Sequence, residues 1–239
     1  MNVNTIARIA ALIGEPARTA MLLRLMDGRA MTATELARAA GISPATASRH
    51  LALMVEANLL QVNAIGRHRY HRIGSPQVGR LLENIMQVAG ADATARQGRR
   101  AGPEDEPLRQ ARTCYDHLAG RLGVAIAHKL ADDGAIVIDA ESGWVTEHAA
   151  ASLAALGPGV LELLASTGQT RRALCRPCMD WSERRIHLAG RLGAAICTAC
   201  MDHGWLLRKP NSRALDITPR GQAALRNWVG LALWNTVVG

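Results

Sequence analysis

Two short runs of this 239-residue chain gather residue types that hold metals or small polar ligands. Cys114, Asp116 and His117 form the first, and Cys178, Asp180, Trp181 and His187 the second. Thiolate, imidazole and carboxylate span soft to hard donors, so together they suit an effector or metal site shared between two related segments. A plainer reading stands beside it: the thiols are small buried hydrophobes, and Asp116 and Asp180 are stabilised near helix N-termini. A second pattern is sharper. Cys175-x-x-Cys178 and Cys197-x-x-Cys200 lie 18 residues apart, the spacing of a zinc ribbon. Yet Cys197 and Cys200 fall on an apolar helical stripe equivalent to Val124, Ala127 and Leu130, where a small apolar side chain is wanted. The expectation is no cofactor, with zinc on these four cysteines as the alternative. Five Cys is an odd number, which argues for reduced thiols over a disulfide framework. Cys114 and His117, three apart on one expected helix and without a Gly-rich elbow or phosphate loop, make a poor active site, so no enzyme is expected.

A different chemistry sits in residues 41–72. Ser43, Ala45, Thr46, Ser48, Arg49 and His50 would share the outer face of one helix, a small, polar and cationic face suited to a DNA major groove. Arg67, His68, Arg69 and Arg72 would follow at the tip and return strand of a hairpin, placed for phosphate or the minor groove.

The elements that must position these groups are legible nearby. Thr32 or Thr34 can cap a helix ending at Gly41, and Ser43-Pro44 is an N-cap followed by Pro at N1. Leu36, Ala37 and Ala40 would face Ala47, Leu51 and Met54 across a tight turn. Residues 59–65 and 68–73 alternate apolar and polar on either side of Gly66, the pattern of a hairpin. Helix, turn, helix and basic hairpin in that order make a winged helix-turn-helix. Charge agrees: residues 1–100 carry 13 Arg against 6 acidic residues, net +7, whereas residues 101–239 are net +1. Counterion release from phosphates explains such asymmetry.

These segments resemble the ArsR/SmtB family of bacterial winged-helix repressors. The resemblance rests on Gly14-Glu15-Pro16-Ala17-Arg18, Glu35-Leu36-Ala37, Gly41-Ile42-Ser43, Ser48-Arg49-His50-Leu51 and Asn58-Leu59-Leu60, and covers roughly residues 5–90. It implies a homodimer that binds double-stranded operator DNA and releases it when a small-molecule effector binds. The family's familiar metal sites do not carry over. Residues 34–40 hold no Cys, and the candidate last helix of this domain, residues 77–89, holds no His and only Glu83.

The expected fold is mainly α with small β hairpins (α+β). Residues 1–90 form the winged DNA-binding and dimerisation domain, with apolar stripes at Val3, Ile6, Ile9 and Ile13 and at Leu81, Leu82, Ile85 and Val88. Residues 91–107, rich in Ala, Gly, Pro and charge, read as a linker. Residues 108–239 form an effector-binding domain of two helix–β–helix repeats, about 108–165 and 175–239, in which His117-Leu-Ala-Gly-Arg-Leu-Gly123 recurs at His187 to Gly193. Residues 112–120 and 180–185 are similar to the C-terminal half of long ArsR-type regulators, a resemblance that names no effector. The crevice between the repeats, with Trp144, Trp181 and Trp205 as walls, is the expected pocket. A thiol-based metal, metalloid or redox sensor is the alternative. No signal peptide or membrane span is visible, so a cytoplasmic protein with no membrane partner is expected.

Overall fold

A computed structural model describes residues 2–66, 68–93, 105–166, 170, 172–210 and 212–239, and the chain divides into two compact units, 1–88 and 89–239. Arg67 and most of the expected linker, residues 94–104, lie outside the described residues.

The first unit opens with α1 (Val3–Ile13) and α2 (Pro16–Leu25), then β1 (Met31–Thr32), α3 (Ala33–Ala40) and α4 (Pro44–Glu56). The hairpin β2 (Leu60–Ile65) and β3 (His68–Ile73) follows, and α5 (Pro76–Ala93) closes it. Local chemistry fixes the turn between α3 and α4. Thr32, not Thr34, caps α3 in a reciprocal capping box with Glu35. Gly41 ends it in the left-handed region at φ 66°, which a residue with a Cβ adopts only at a cost. Ser43 Oγ then accepts the Thr46 N–H at 3.1 Å to start α4. Leu36 and Ala37 meet Ala47, Leu51 and Met54 in a core completed by Met21, Leu22, Leu25 and Leu82. β1 and β2 flank β3 in one antiparallel sheet, with Leu60 opposite Ile73 and Ile65 opposite His68.

Among its described residues, the second unit contains four two-stranded antiparallel hairpins threaded between helices. After α6 (Glu106–Gln110) come the hairpin β4 (Arg112–Cys114) and β5 (His117–Ala119), then α7 (Gly120–Asp132). The hairpin β6 (Ile136–Ile138) and β7 (Gly143–Val145) leads to α8 (Ala149–Leu153) and α9 (Pro158–Ala165). The same order returns as β8 (Arg176–Met179), β9 (Ile186–Ala189), α10 (Gly190–Asp202), β10 (Leu206–Arg208), β11 (Leu215–Ile217), α11 (Pro219–Val229) and α12 (Leu231–Val238). Equivalent hydrogen bonds accompany it. Ala135 N–H donates to Leu130 O at 2.8 Å as Trp205 N–H does to Cys200 O at 2.9 Å, and Thr146 and Thr218 hydroxyls donate to Gly134 O and Gly204 O. One expectation is corrected: the helix expected to open each helix–β–helix repeat is replaced by a hairpin before α7 and before α10, with the short α6 ahead of the first. Asp116 therefore sits in a hairpin turn and Asp180 just past β8, neither in a first helical turn of its own segment.

Leu122, Ile126, Leu130, Leu192, Ile196, Leu225 and Trp234 form the core of this unit. Among the described residues, no helix is long and apolar enough to cross a membrane.

Candidate nucleic-acid interface and buried Cys–His cluster

Burying Ala47, Leu51 and Met54 turns the opposite side of α4 outward. Ser43, Ala45, Ser48 and Arg49 are exposed and Thr46 is half-buried. Two hydroxyls already serve the helix: Ser43 Oγ caps it, and Ser48 Oγ donates to Pro44 O at 2.9 Å. Arg49 has no ion pair or side-chain hydrogen bond among the described residues, so its guanidinium keeps all its donors. His50 behaves differently. Its Nδ1 lies 3.1 Å from Arg18 Nη1 and its Nε2 3.9 Å from Glu15 Oε2, so it ties α4 to α2 instead of extending the outer face. Glu15 in turn caps α2, and the Arg18 N–H is the main reason its carboxyl lies below the usual range.

On the hairpin, His68, Arg69 and Arg72 are exposed. Arg72 donates to Gln61 Oε1 from Nε at 3.2 Å and Nη2 at 3.0 Å, which braces it across the strand pair. His71 points the other way. It is 7% exposed, and burial pulls its pKa below the usual imidazole value. Alternation along β3 puts His68 and Arg72 on the face opposite His71, whereas Arg69 shares the His71 face and is exposed nearer the hairpin tip.

In the second unit the structure draws four of the sequence candidates to one point. Cys114 faces His117 across β4–β5, and Cys178 faces His187 across β8–β9. Opposed residues of an antiparallel pair project to the same side, so each hairpin presents one thiol beside one imidazole. The two presentations meet: Cys114 Sγ to Cys178 Sγ is 3.9 Å, and His117 Nε2 to His187 Nε2 is 3.1 Å. All four donor atoms lie within 4.8 Å of one another, and only Cys178 is more than marginally exposed. Glycines allow this. A Cβ on Gly193 of α10 would sit 3.2 Å from His117 Cβ and 2.3 Å from Leu188 O; on Gly123 of α7 it would sit 3.5 Å from His187 Cβ and 2.5 Å from Leu118 O. Each imidazole thus lies on the helix of the other segment.

The outer ring nitrogens meet carboxylates. His117 Nδ1 is 3.3 Å from Asp116 Oδ1, and His187 Nδ1 is 3.4 Å from Asp180 Oδ2, a contact poorly aligned for a full hydrogen bond. Arg172 grips Asp116 with both guanidinium nitrogens, at 2.6 and 3.0 Å. Asp180 is fully buried and accepts from Arg112 Nη2 at 2.6 Å, Gly120 N at 2.7 Å and Ser182 N at 3.0 Å. Burial raises the Asp180 pKa, but His187, Arg112 and the Gly120 N–H outweigh it and hold the carboxyl ionised. Burial likewise opposes charge on His187, yet Asp180 and Cys114 raise its pKa above the usual imidazole range. The Arg112 guanidinium lies over the Trp181 ring, 5.0 Å from its centroid.

The zinc-ribbon alternative is corrected. Cys175, Cys197 and Cys200 lie in the apolar core and do not join Cys178 at a common point. Burial pushes the Cys175 and Cys197 thiols up to about 11, and Cys200 further still. The expected aromatic pocket also changes. Trp144 is exposed, whereas Trp205 joins Trp228, Lys129, Asp133, His148 and Ser152 around an open cleft of about 750 Å³. Trp228 was not singled out from sequence; its Nε1–H donates to Ser152 O at 2.9 Å, a long-range contact that no local pattern announces.

A family model described as a helix-turn-helix domain matches residues 13–63. A curated Bacillus subtilis (strain 168) relative, the uncharacterized HTH-type transcriptional regulator YdfF, is 38% identical over 233 residues, 98% of this chain and 100% of that one. Solved structures similar to it include the homodimeric winged helix-turn-helix DNA-binding domain of Mb0332 from Mycobacterium bovis, described as a possible ArsR-family regulator. It is 24% identical, covers 41% of this chain and 88% of that one, and has a TM-score of 0.35. NolR from Sinorhizobium fredii is 23% identical, covering 36% of this chain and 86% of that one, with a TM-score of 0.34. With the capped α3–α4 pair, the outward Arg49 and the β2–β3 wing in place, the chain belongs to the HTH-type transcriptional regulators, and its first unit is a winged helix-turn-helix.

Proposed function

We propose that the chain is a homodimeric repressor that reads double-stranded operator DNA with α4 and the β2–β3 wing, and releases it when the second unit binds an effector. The observation that carries the DNA contact is Arg49, exposed on α4 with every donor available for a base edge. Arg69 and His68 on the wing supply a phosphate or minor-groove contact, with Arg67 as a further candidate. Dimerisation is supported by an apolar stripe without cover: Val3 and Ile6 on α1, and Ile85 and Val88 on α5, are all exposed. A two-fold operator requires two recognition helices about 34 Å apart, which a dimer joined at these helices can supply.

The second unit is the regulatory module, two related copies whose crevice offers the site. The Trp205–Trp228 cleft sets two aromatic residues beside Lys129, Asp133, His148, Ser152 and Asn227, polar and charged groups that could orient an organic effector. A thiol-based or metal-based signal is the second reading, favoured by the four-donor cluster at Cys114, His117, Cys178 and His187. Selecting binding sites from random duplexes with the full chain, then titrating the selected duplex over a salt series, tests the DNA reading. A steep salt dependence is expected; no enriched sequence would count against it.

A further inference from the structure

We infer that Cys114, His117, Cys178 and His187 form a tetrahedral Zn²⁺ site that fastens the two hairpins of the second unit together. Zinc at about 2.3 Å from sulfur and about 2.05 Å from nitrogen places two thiolates about 3.8 Å apart and two imidazole nitrogens about 3.3 Å apart. The sulfurs here stand 3.9 Å apart and the Nε2 atoms 3.1 Å, with all four donors inside 4.8 Å. Small side-chain adjustments suffice.

The surroundings match a metal site as well as the donors do. Both histidines turn Nε2 inward and Nδ1 toward a carboxylate, Asp116 or Asp180, the arrangement that orients a metal-bound imidazole and sets its tautomer. Those carboxylates are themselves held, Asp116 by Arg172 and Asp180 by Arg112. Two thiolates with two neutral imidazoles make a Zn²⁺ complex of zero net charge, the form a buried position tolerates. On binding, both thiols and any protonated imidazole of the cluster give their protons to solvent, so that two thiolates and two neutral imidazoles coordinate. Soft sulfur with borderline nitrogen selects zinc over magnesium or calcium. Four protein donors leave no open position, so the site is structural, not catalytic. The claim is separate from the DNA reading: metal content and operator affinity are independent measurements.

Purify the full chain without a histidine tag, under reducing conditions, and measure zinc by elemental analysis. About one zinc per chain is expected, lost in Cys178→Ala and in His187→Ala and kept in Cys197→Ala, whose thiol lies in the apolar core. Circular dichroism of each variant separates loss of a ligand from loss of the fold. Wild-type protein supplies a check that needs no variant: after zinc is stripped, added Co²⁺ should give the visible bands of tetrahedral cobalt and a thiolate charge-transfer band. Zinc-free wild type that gives neither band with Co²⁺ overturns the inference. So does a Cys114–Cys178 disulfide, found by mass spectrometry in freshly reduced protein, in place of metal.

Discussion

His117 and His187, 70 residues apart in the chain, bring their Nε2 atoms to 3.1 Å while each ring lies on the opposite segment's helix, His117 against Gly193 and His187 against Gly123. The exchange makes the two segments mutually dependent. Each Cys–His face thus packs on the helix of the other segment.

Metal removal should therefore act on stability. If zinc is bound at roughly 100 to 1,000 times its Kd, stripping it costs about 3–4 kcal/mol. For a unit of this size that lowers the melting midpoint by roughly 6–15 °C. Calorimetry with and without a chelator checks this, and an unchanged midpoint would speak against a structural metal.

Asp180 and Arg112 form a buried pair, 0% and 1% exposed, in which Asp180 also accepts the first N–H of α7. Asp180→Ala leaves a buried guanidinium without its partner and should destabilise the second unit by about 3–5 kcal/mol. Changing both residues together to Arg112→Met and Asp180→Leu should cost less than the single change, as read by urea unfolding.

Cys175, Cys197 and Cys200 should resist alkylation in the native protein. Burial raises each thiol above its ordinary range, so at pH 7–8 the reactive thiolate is scarce, and the sign of the effect is slower labelling that speeds up only as pH climbs toward about 11. Mass spectrometry of iodoacetamide-treated protein, native and in denaturant, checks it. Labelling of native Cys200 as fast as that of an unfolded control would contradict the burial.

How much of this was legible in sequence depends on range. The helix-turn-helix was, because its signals are local: a capping box at Thr32 and Glu35, a left-handed Gly41, an N-cap at Ser43 before Pro44. The Cys–His cluster was legible in membership but not in architecture. The β4–β5 turn is made by Tyr115 and Asp116, with Tyr115 at φ 62°, so the Gly or Asn that usually announces a tight hairpin is missing and the segment reads as helix. The cysteine spacing suits a zinc ribbon by count, but Cys197 and Cys200 sit on the buried stripe of α10, the apolar stripe that helical spacing indicates for them. His50 falls on the outward face by type and spacing, but Glu15 and Arg18 hold its ring against α2, contacts too distant in the chain for local spacing to show.

Dimerisation through α1 and α5 has a direct probe. Ile6 and Ile85 are 53% and 40% exposed on apolar stripes, so Ile6→Glu with Ile85→Glu should shift the protein to monomer in sedimentation while leaving its helical content intact. Wild type that sediments as a monomer at micromolar concentration would remove the dimer from the account.

The central claim is that α4 reads DNA through Arg49, and fluorescence anisotropy on a selected operator duplex tests it most directly. Arg49→Ala should weaken operator binding by about 1–3 kcal/mol, roughly 5- to 150-fold, and relax preference at one base position. Arg69→Ala on the wing should instead weaken all duplexes alike and flatten the salt dependence. Equal affinity of wild type and Arg49→Ala for the operator, with sequence preference unchanged, would contradict the account.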